Sequence, residues 1–181
     1  MNNVISINFP ILSAEDIEVR VSMVKQKGLS VLLYKDARCD MRILDQTVGA
    51  QNWQRKHYEC KGNLFCSVGI NIDGDWIWKD DCGAESHASK EKGEASDSFK
   101  RACFNWGIGR ELYTAPFVWI TDAKITSQNG KFSCFDRFYV DKIAVNQSRQ
   151  IYGLAICKSD GGRVFSYYDK KLDDTKKEKA G

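Results

Sequence analysis

The sequence predicts an α+β fold in which a three-stranded antiparallel β-meander packs on a long helix, with N-terminal helices before this core and C-terminal β-hairpins after it. Two patterns carry the prediction. Apolar residues alternate with smaller or polar ones over 64–72, which is the period of a strand with one buried face. Apolar residues then recur at helical spacing from Ala95 to Trp106, as in a helix with one face on a sheet. The first pattern indicates the central strand, and the second indicates the helix that covers it.

Length and composition bound the architecture. The chain has 181 residues, which favours one domain with a real hydrophobic core. We expect residues 1–120 to form the core, residues 121–169 to form a β-hairpin extension of the same domain, and residues 170–181 to form a charged, flexible tail.

Charge and cysteine usage limit the classes of function. A net charge of +3 and a pI near 8.4 are too mild to establish a polyanionic partner by themselves. The seven cysteines are odd in number and contain no C-x-x-C pair, which favours free buried thiols in a reducing compartment over disulfides or zinc. The sequence shows no signal-peptide pattern and no long apolar run, so we expect a cytoplasmic protein without a membrane partner.

Two helices are expected before the meander. Ser13 and Asp16 have the spacing of a capping box, and apolar residues repeat at helical spacing over 17–24 until Gly28. Residues 36–48 form a second amphipathic segment that ends at a glycine turn.

The meander and its helix follow directly. Strands are expected over 53–60, 64–72 and 76–82, because the two segments between them, Lys61-Gly62-Asn63 and Asp73-Gly74-Asp75, have the composition of tight turns. The helix is expected over 89–109, with the apolar stripe Ala95, Phe99, Ala102 and Trp106 facing the sheet. Beyond it, residues 131–145, 151–157 and 163–168 are predicted to be strands of β-hairpins.

Several chemistries are disfavoured by the motifs. No G-x-x-x-x-G-K-[ST] pattern is present, so the sequence indicates no ATP site. The two histidines, His57 and His87, lack the spacing of metal ligands or of a catalytic triad. A group of acidic side chains could bind magnesium for a nuclease, but turn formation is the favoured interpretation because two members flank a glycine; the group comprises Asp73, Asp75, Asp80, Asp81 and Glu85.

Cations lie along and just beyond the long helix, and two more lie one turn apart on the helix over 36–48. Spacing alone favours a solvated helix edge for them, and a surface that contacts phosphates is the alternative. The cations are Lys90, Lys92, Lys100, Arg101 and Arg110, with Arg38 and Arg42 on the earlier helix.

Three consecutive parts of the chain resemble the Rad-fifty-two type of single-strand annealing proteins, including prophage and bacterial members. They are YKDARCDMRILDQTVGAQNW over 34–53, the meander, and ASDSFKRA over 95–102 with Trp106-Gly107 after it. The resemblance covers roughly residues 13–119. It implies that residues 1–120 are a single-strand annealing core that assembles into a ring or filament with a basic groove.

The resemblance also implies roles for individual residues. Lys100 and Arg101 match the groove-lining pair of the family, and Arg38 would be their partner on the preceding helix. Where many relatives carry a further arginine this chain has Phe104, so part of the charge of the groove would be either missing or supplied by Arg110. Arg42, Lys90 and Lys92 complete the expected DNA-binding set, the two lysines near the position of a second, outer contact.

The function expected on this basis is ATP-independent binding of single-stranded DNA and annealing of complementary strands in recombination and repair. The protein would be a homo-oligomer, with neither covalent catalysis nor a cofactor, and a single-strand-binding protein or a recombinase would be its protein partner. A self-assembling or partner-docking protein that binds no nucleic acid is the alternative.

Overall fold

The computed structural model describes residues 6–84 and 90–175, with all their side chains except that of Lys90. Strands make up 45% of these residues, which include only two α-helices. The predicted fold class is therefore wrong. The protein is mostly β, and its larger sheet has six strands in a nearly closed, barrel-like arrangement.

The elements have the following bounds in chain order. Strands β1 and β2 come first, then helix α1, strands β3 to β5, helix α2 and strands β6 to β11. Their ranges are β1 Glu18–Lys25, β2 Gly28–Tyr34, α1 Ala37–Val48, β3 Trp53–Cys60, β4 Asn63–Ile72, β5 Asp75–Cys82, α2 Lys90–Trp106, β6 Val118–Ile120, β7 Ile125–Gln128, β8 Lys131–Cys134, β9 Phe138–Val145, β10 Ile151–Lys158 and β11 Arg163–Tyr168. In the described part of the chain, no helix is both long and apolar enough to cross a membrane.

The first predicted helix is a β-hairpin. Ser13 and Asp16 do form a capping box, but it closes only a single 3-10 turn over Ala14–Asp16. The following residues form β1, which pairs with β2 in antiparallel register from Glu18 opposite Tyr34 to Lys25 opposite Gly28. The apolar residues of this segment fit a period of 2 as well as one of 3.6, and β-branched residues favour the strand.

Contacts divide the chain into two compact units. The first comprises the described residues up to Pro10 together with Asp36–Gly109. The second comprises Ile11–Lys35 and the described residues from Arg110 onward.

In the first unit, β3, β4 and β5 form an antiparallel sheet in that order, and α2 packs on one of its faces. The bounds of the three strands lie within one residue of those predicted. On the helix side of β4, Cys66, Val68 and Ile70 are fully buried, as are Phe99 and Ala102 of α2. The indole Nε1 of Trp106 donates to the carbonyl oxygen of Val68 at 2.9 Å. These contacts explain the apolar stripe of the helix.

Helix α1 begins where its sequence indicates. The carboxylate of Asp36 accepts a hydrogen bond from the backbone N–H of Cys39 at 2.8 Å, which satisfies one of the unpaired donors of the first turn. The helix ends at Gly49, whose φ of 87° is unfavourable for other residues. It packs against α2 within the same unit.

In the second unit, six strands lie in the order β11-β10-β9-β1-β2-β6, and the two edge strands approach each other. The C-terminal strands therefore do not form hairpins appended to a meander; they complete one sheet with β1 and β2. Strand β9 joins the two groups of strands, because it pairs with β10 on one side and with β1 on the other, where Tyr139 lies opposite Glu18. Strands β7 and β8 form a separate hairpin.

The seven cysteines are all free thiols, as predicted. Burial raises the pKa of the Cys66 thiol to about 11. Four thiols are buried, one is exposed and two are half-buried: Cys39, Cys66, Cys103 and Cys157, then Cys60, then Cys82 and Cys134.

Candidate nucleic-acid interface

Helix α2 presents three of the predicted cations. Lys92 and Arg101 are exposed, and Lys100 is half-buried beside the fully buried Phe99. Within the described chain, the side chains of Lys92 and Lys100 form no ion pair and no hydrogen bond. Lys90 is the first residue of α2, and its side chain lies outside the described atoms. Two ammonium groups on this helix are thus available to a ligand.

Arg101 has a carboxylate neighbour. Its Nε lies 3.1 Å from Oδ1 of Asp81 on β5, and the two side chains are 44% and 20% exposed. The same carboxylate oxygen accepts from the backbone N–H of Cys82 at 2.8 Å. Arg101 therefore offers an anion less positive potential than an isolated guanidinium does.

Helix α1 adds two arginines to the same unit. Arg38 lies exposed in the first turn, and its side chain has no ion-pair or hydrogen-bond partner among residues 6–84 and 90–175. Arg42, one turn later, donates to the side-chain oxygen of Gln46 at 3.3 Å and to Sγ of Cys39 at 3.8 Å. Since α1 packs on α2, five of the predicted cations belong to one helical layer on the first unit. We call Arg38, Arg42, Lys92, Lys100 and Arg101 the helix cations.

Arg110 does not belong to that layer. It begins the 3-10 segment Arg110–Thr114 in the second unit, where it is exposed. Phe104 is half-buried on α2.

Sequence reasoning missed a second set of cations, which lie on the sheet. The guanidinium of Arg55 sits 4.6 Å from the ring centroid of Phe99. The ammonium of Lys56 lies 4.1 Å from the ring centroid of Trp78. Cations over aromatic faces are stabilised by the ring quadrupole. Because Arg55 and Lys56 are consecutive residues of a predicted strand, the sequence could have placed their side chains on opposite faces of β3. The rings that they contact, those of Phe99 and Trp78, depend on how β3 and α2 pack on the rest of the sheet.

The acidic residues serve local structure. Asp80 accepts hydrogen bonds from the hydroxyls of Tyr58 at 2.8 Å and Ser67 at 2.5 Å, and the bond to Asp80 raises the pKa of the Tyr58 hydroxyl. Asp73 lies in the β4–β5 turn with a φ of 53°. Among the residues with described positions, no group of three or more His, Cys, Asp or Glu side chains has the arrangement of a metal site. Glu85 and His87 lie outside the described residues.

Comparison of the chain with protein-family models, with curated proteins and with solved structures found no match. The helix cations can neutralise phosphates, and the aromatic side chains of the sheet can stack on planar groups.

Proposed function

We propose that this protein binds single-stranded DNA and anneals complementary strands without ATP, as a cytoplasmic homo-oligomer that acts in recombination and repair. The observation that carries the proposal is the helix cations: five basic side chains on two packed helices, of which Arg38, Lys92 and Lys100 have no counter-ion within the described chain. The resemblance of Lys100, Arg101 and Arg38 to the groove of annealing proteins points to the same residues.

The physical basis is counterion release. Each phosphate that a cation neutralises lowers the slope of log K against log[salt] by about 0.7 on a single strand, and such contacts carry no sequence preference. Five cations on one subunit form a weak site. Repetition of the site in a ring or filament would tether one strand along several subunits and raise the effective concentration at each next one. A modest net charge of +3 is compatible with this arrangement.

The test is binding of a fluorescent oligothymidine at several salt concentrations, with annealing of complementary oligonucleotides as a second readout. Lys100→Ala/Arg101→Ala should weaken binding at least tenfold and make the salt slope shallower by about 1.4, which is two phosphate contacts. The fold should persist, because an exposed pair such as Arg101–Asp81 contributes at most about 1 kcal/mol.

Lys25→Ala/Lys27→Ala is the matched control. It removes the same formal charge from exposed positions of the second unit and should leave binding nearly unchanged. Unaltered binding by the α2 variant would disprove the site, and equal losses in both variants would show that only net charge matters. Light scattering with and without DNA tests the oligomer, and a monomer in both conditions contradicts it.

A partner-docking protein without nucleic-acid binding is the second candidate. Two aromatic side chains of the second unit, shortly after Arg110, are highly exposed, Tyr113 at 70% and Phe117 at 74%. Exposed aromatic residues are typical of protein interfaces. This function predicts that no salt-dependent retention of single-stranded DNA occurs under any condition of the same assay.

A further inference from the structure

The three-stranded sheet of the first unit has a second face, opposite α2. Side chains alternate along β4, so Phe65, Ser67 and Gly69 point away from the helix that buries Cys66 and Val68. The cross-strand register places Tyr58 opposite Phe65, Lys56 opposite Ser67, and Trp78 opposite Gly69. We call the face formed by Lys56, Tyr58, Phe65, Trp76 and Trp78 the outer face.

The outer face carries four aromatic rings in two pairs. Tyr58 and Phe65 are stacked, with centroids 5.5 Å apart and planes inclined by 20°. Trp76 and Trp78 have centroids 6.1 Å apart. Tyr58 remains 39% exposed and Trp76 38% exposed, so one ring of each pair presents a surface to solvent.

The rings are held in place by the sheet. The indole of Trp78 lies against Gly69, where a Cβ would come within 2.8 Å of the ring, so only glycine leaves room for it. The hydroxyl of Tyr58 is fixed by its bond to Asp80, whose other carboxylate oxygen accepts from Ser67. Rigid rings lose little conformational entropy when they bind a planar ligand.

In the cross-strand register, Lys56 lies between the two pairs. The ammonium of Lys56 sits over Trp78 and makes no ion pair with the described residues. Asp80, the nearest acid in the register, already accepts two hydrogen bonds. Interface cores between proteins are depleted of Lys and Asp, whereas aromatic rings beside a cation suit a nucleobase and its phosphate.

We propose that the outer face is a second nucleic-acid site that stacks the bases of a single strand on Trp76 and Tyr58, while Lys56 contacts a phosphate. The inference rests on the proposed function and extends it. The helix cations neutralise the backbone on one side of the sheet, and the outer face holds bases on the other. Because every base has a planar face, the site would be tolerant of sequence.

The test compares two probes of equal length, oligothymidine and an abasic strand that keeps the phosphates and lacks the bases. Trp76→Ala should weaken binding of oligothymidine by about 5- to 150-fold, the range for loss of one aromatic stack, and should leave binding of the abasic strand unchanged. The salt slope with oligothymidine should stay the same, since no phosphate contact is lost.

Two controls are matched in position and chemistry. Trp76→Phe keeps an aromatic ring and should retain most of the affinity for oligothymidine. Ile77→Ala removes the next side chain of β5, which is 46% exposed and points to the opposite face, and should bind both probes like the unmodified protein. Tyr58→Leu removes a ring at the other end of the outer face and repeats the test if Trp76→Ala fails to fold.

The outcomes separate the inference from the proposed function. If the unmodified protein binds both probes and Trp76→Ala binds oligothymidine equally well, the outer face is refuted and the proposed function stands. If the unmodified protein binds neither probe, both fail. If Trp76→Ala lowers the mass of the oligomer in light scattering without altering binding, the outer face contacts a second copy and the inference is overturned.

Discussion

Asp81→Asn should strengthen the binding of single-stranded DNA, although it removes an ion pair of the folded protein. The Asp81 carboxylate lies 3.1 Å from Nε of Arg101 and competes with any phosphate for that guanidinium. Asparagine has the same shape and keeps an Oδ1 that can accept the hydrogen bond from the backbone N–H of Cys82. The substitution thus changes charge with little change in packing.

The size of the effect follows from the exposure of the pair. With side chains 44% and 20% exposed, the pair resembles surface ion pairs, which contribute about 0.2–1 kcal/mol. In Asp81→Asn, a phosphate that binds Arg101 no longer has to displace the Asp81 carboxylate. The dissociation constant should therefore fall by up to about fivefold. The gain should shrink as salt is raised, because the Debye length falls from about 10 Å at 0.1 M to about 3 Å at 1 M.

Fluorescence anisotropy with labelled oligothymidine measures the effect. Asp73→Asn is the matched control, since it changes net charge equally at an exposed turn where φ is 53°, a conformation that asparagine tolerates. Equal affinity of the two variants would refute the reasoning, because the effect would then come from net charge and Arg101 would lie outside the interface. Weaker binding by Asp81→Asn would show that the ion pair positions Arg101.

Two further predictions concern the first unit. Phe99→Ala should destabilise the protein by about 3–5 kcal/mol and lower the melting temperature by roughly 6–20 °C, because Phe99 is fully buried and packs on Trp53 and Arg55. The control is Phe135→Ala, at a site that is 84% exposed. It should change the free energy of unfolding by less than about 0.5 kcal/mol. At pH 8 an alkylating reagent should label the exposed thiol of Cys60 well before the buried thiol of Cys66, because the raised pKa of Cys66, about 11, leaves roughly one molecule in a thousand as thiolate. Mass spectrometry of peptides measures the order of labelling. Labelling of Cys66 before Cys60 would contradict the burial of Cys66.

The same thiol predicts how stability depends on alkaline pH. Because the pKa of Cys66 is raised from 9.0 to about 11 in the folded state, the unfolded chain loses this proton first as pH rises. Stability is therefore unaffected by this group below about pH 9 and falls between about pH 9 and 11. Denaturant titrations of the protein and of Cys66→Ala across that window measure the difference.

The parts of the fold that sequence predicts well are those with local causes. Both meander turns contain two successive residues with positive φ, Lys61-Gly62 and Asp73-Gly74, which is the requirement of a two-residue hairpin loop. Helix α1 begins at a side-chain cap that is visible in the sequence. In both turns and at the start of α1, the residues that determine the local structure lie within a few positions along the chain.

The parts that failed depend on partners far along the chain. Residues 18–25 become a strand because they pair with β2 and with β9, which follows more than a hundred residues later. The segment between Ile17 and Gly28 fits helix and strand periods almost equally, so only those pairings decide. The same limit applies to the candidate site: periodicity located Lys100 and Arg101, but the carboxylate beside Arg101 follows from how α2 lies on β5.

The two proposed contacts must be compatible with annealing, which requires that a held strand be given up to its complement. Stacking on an aromatic ring contributes about 1–3 kcal/mol per base, and the outer face offers two exposed rings per subunit. A growing duplex gains about 1.4 kcal/mol for every base-pair step, and it gains this at bases that touch no ring as well. If pairing begins at such bases, the free energy gained by base pairing exceeds the stacking energy after a few base-pair steps. A face with few rings therefore suits a protein that retains single strands and releases duplex, whereas a continuous row of rings would oppose the release.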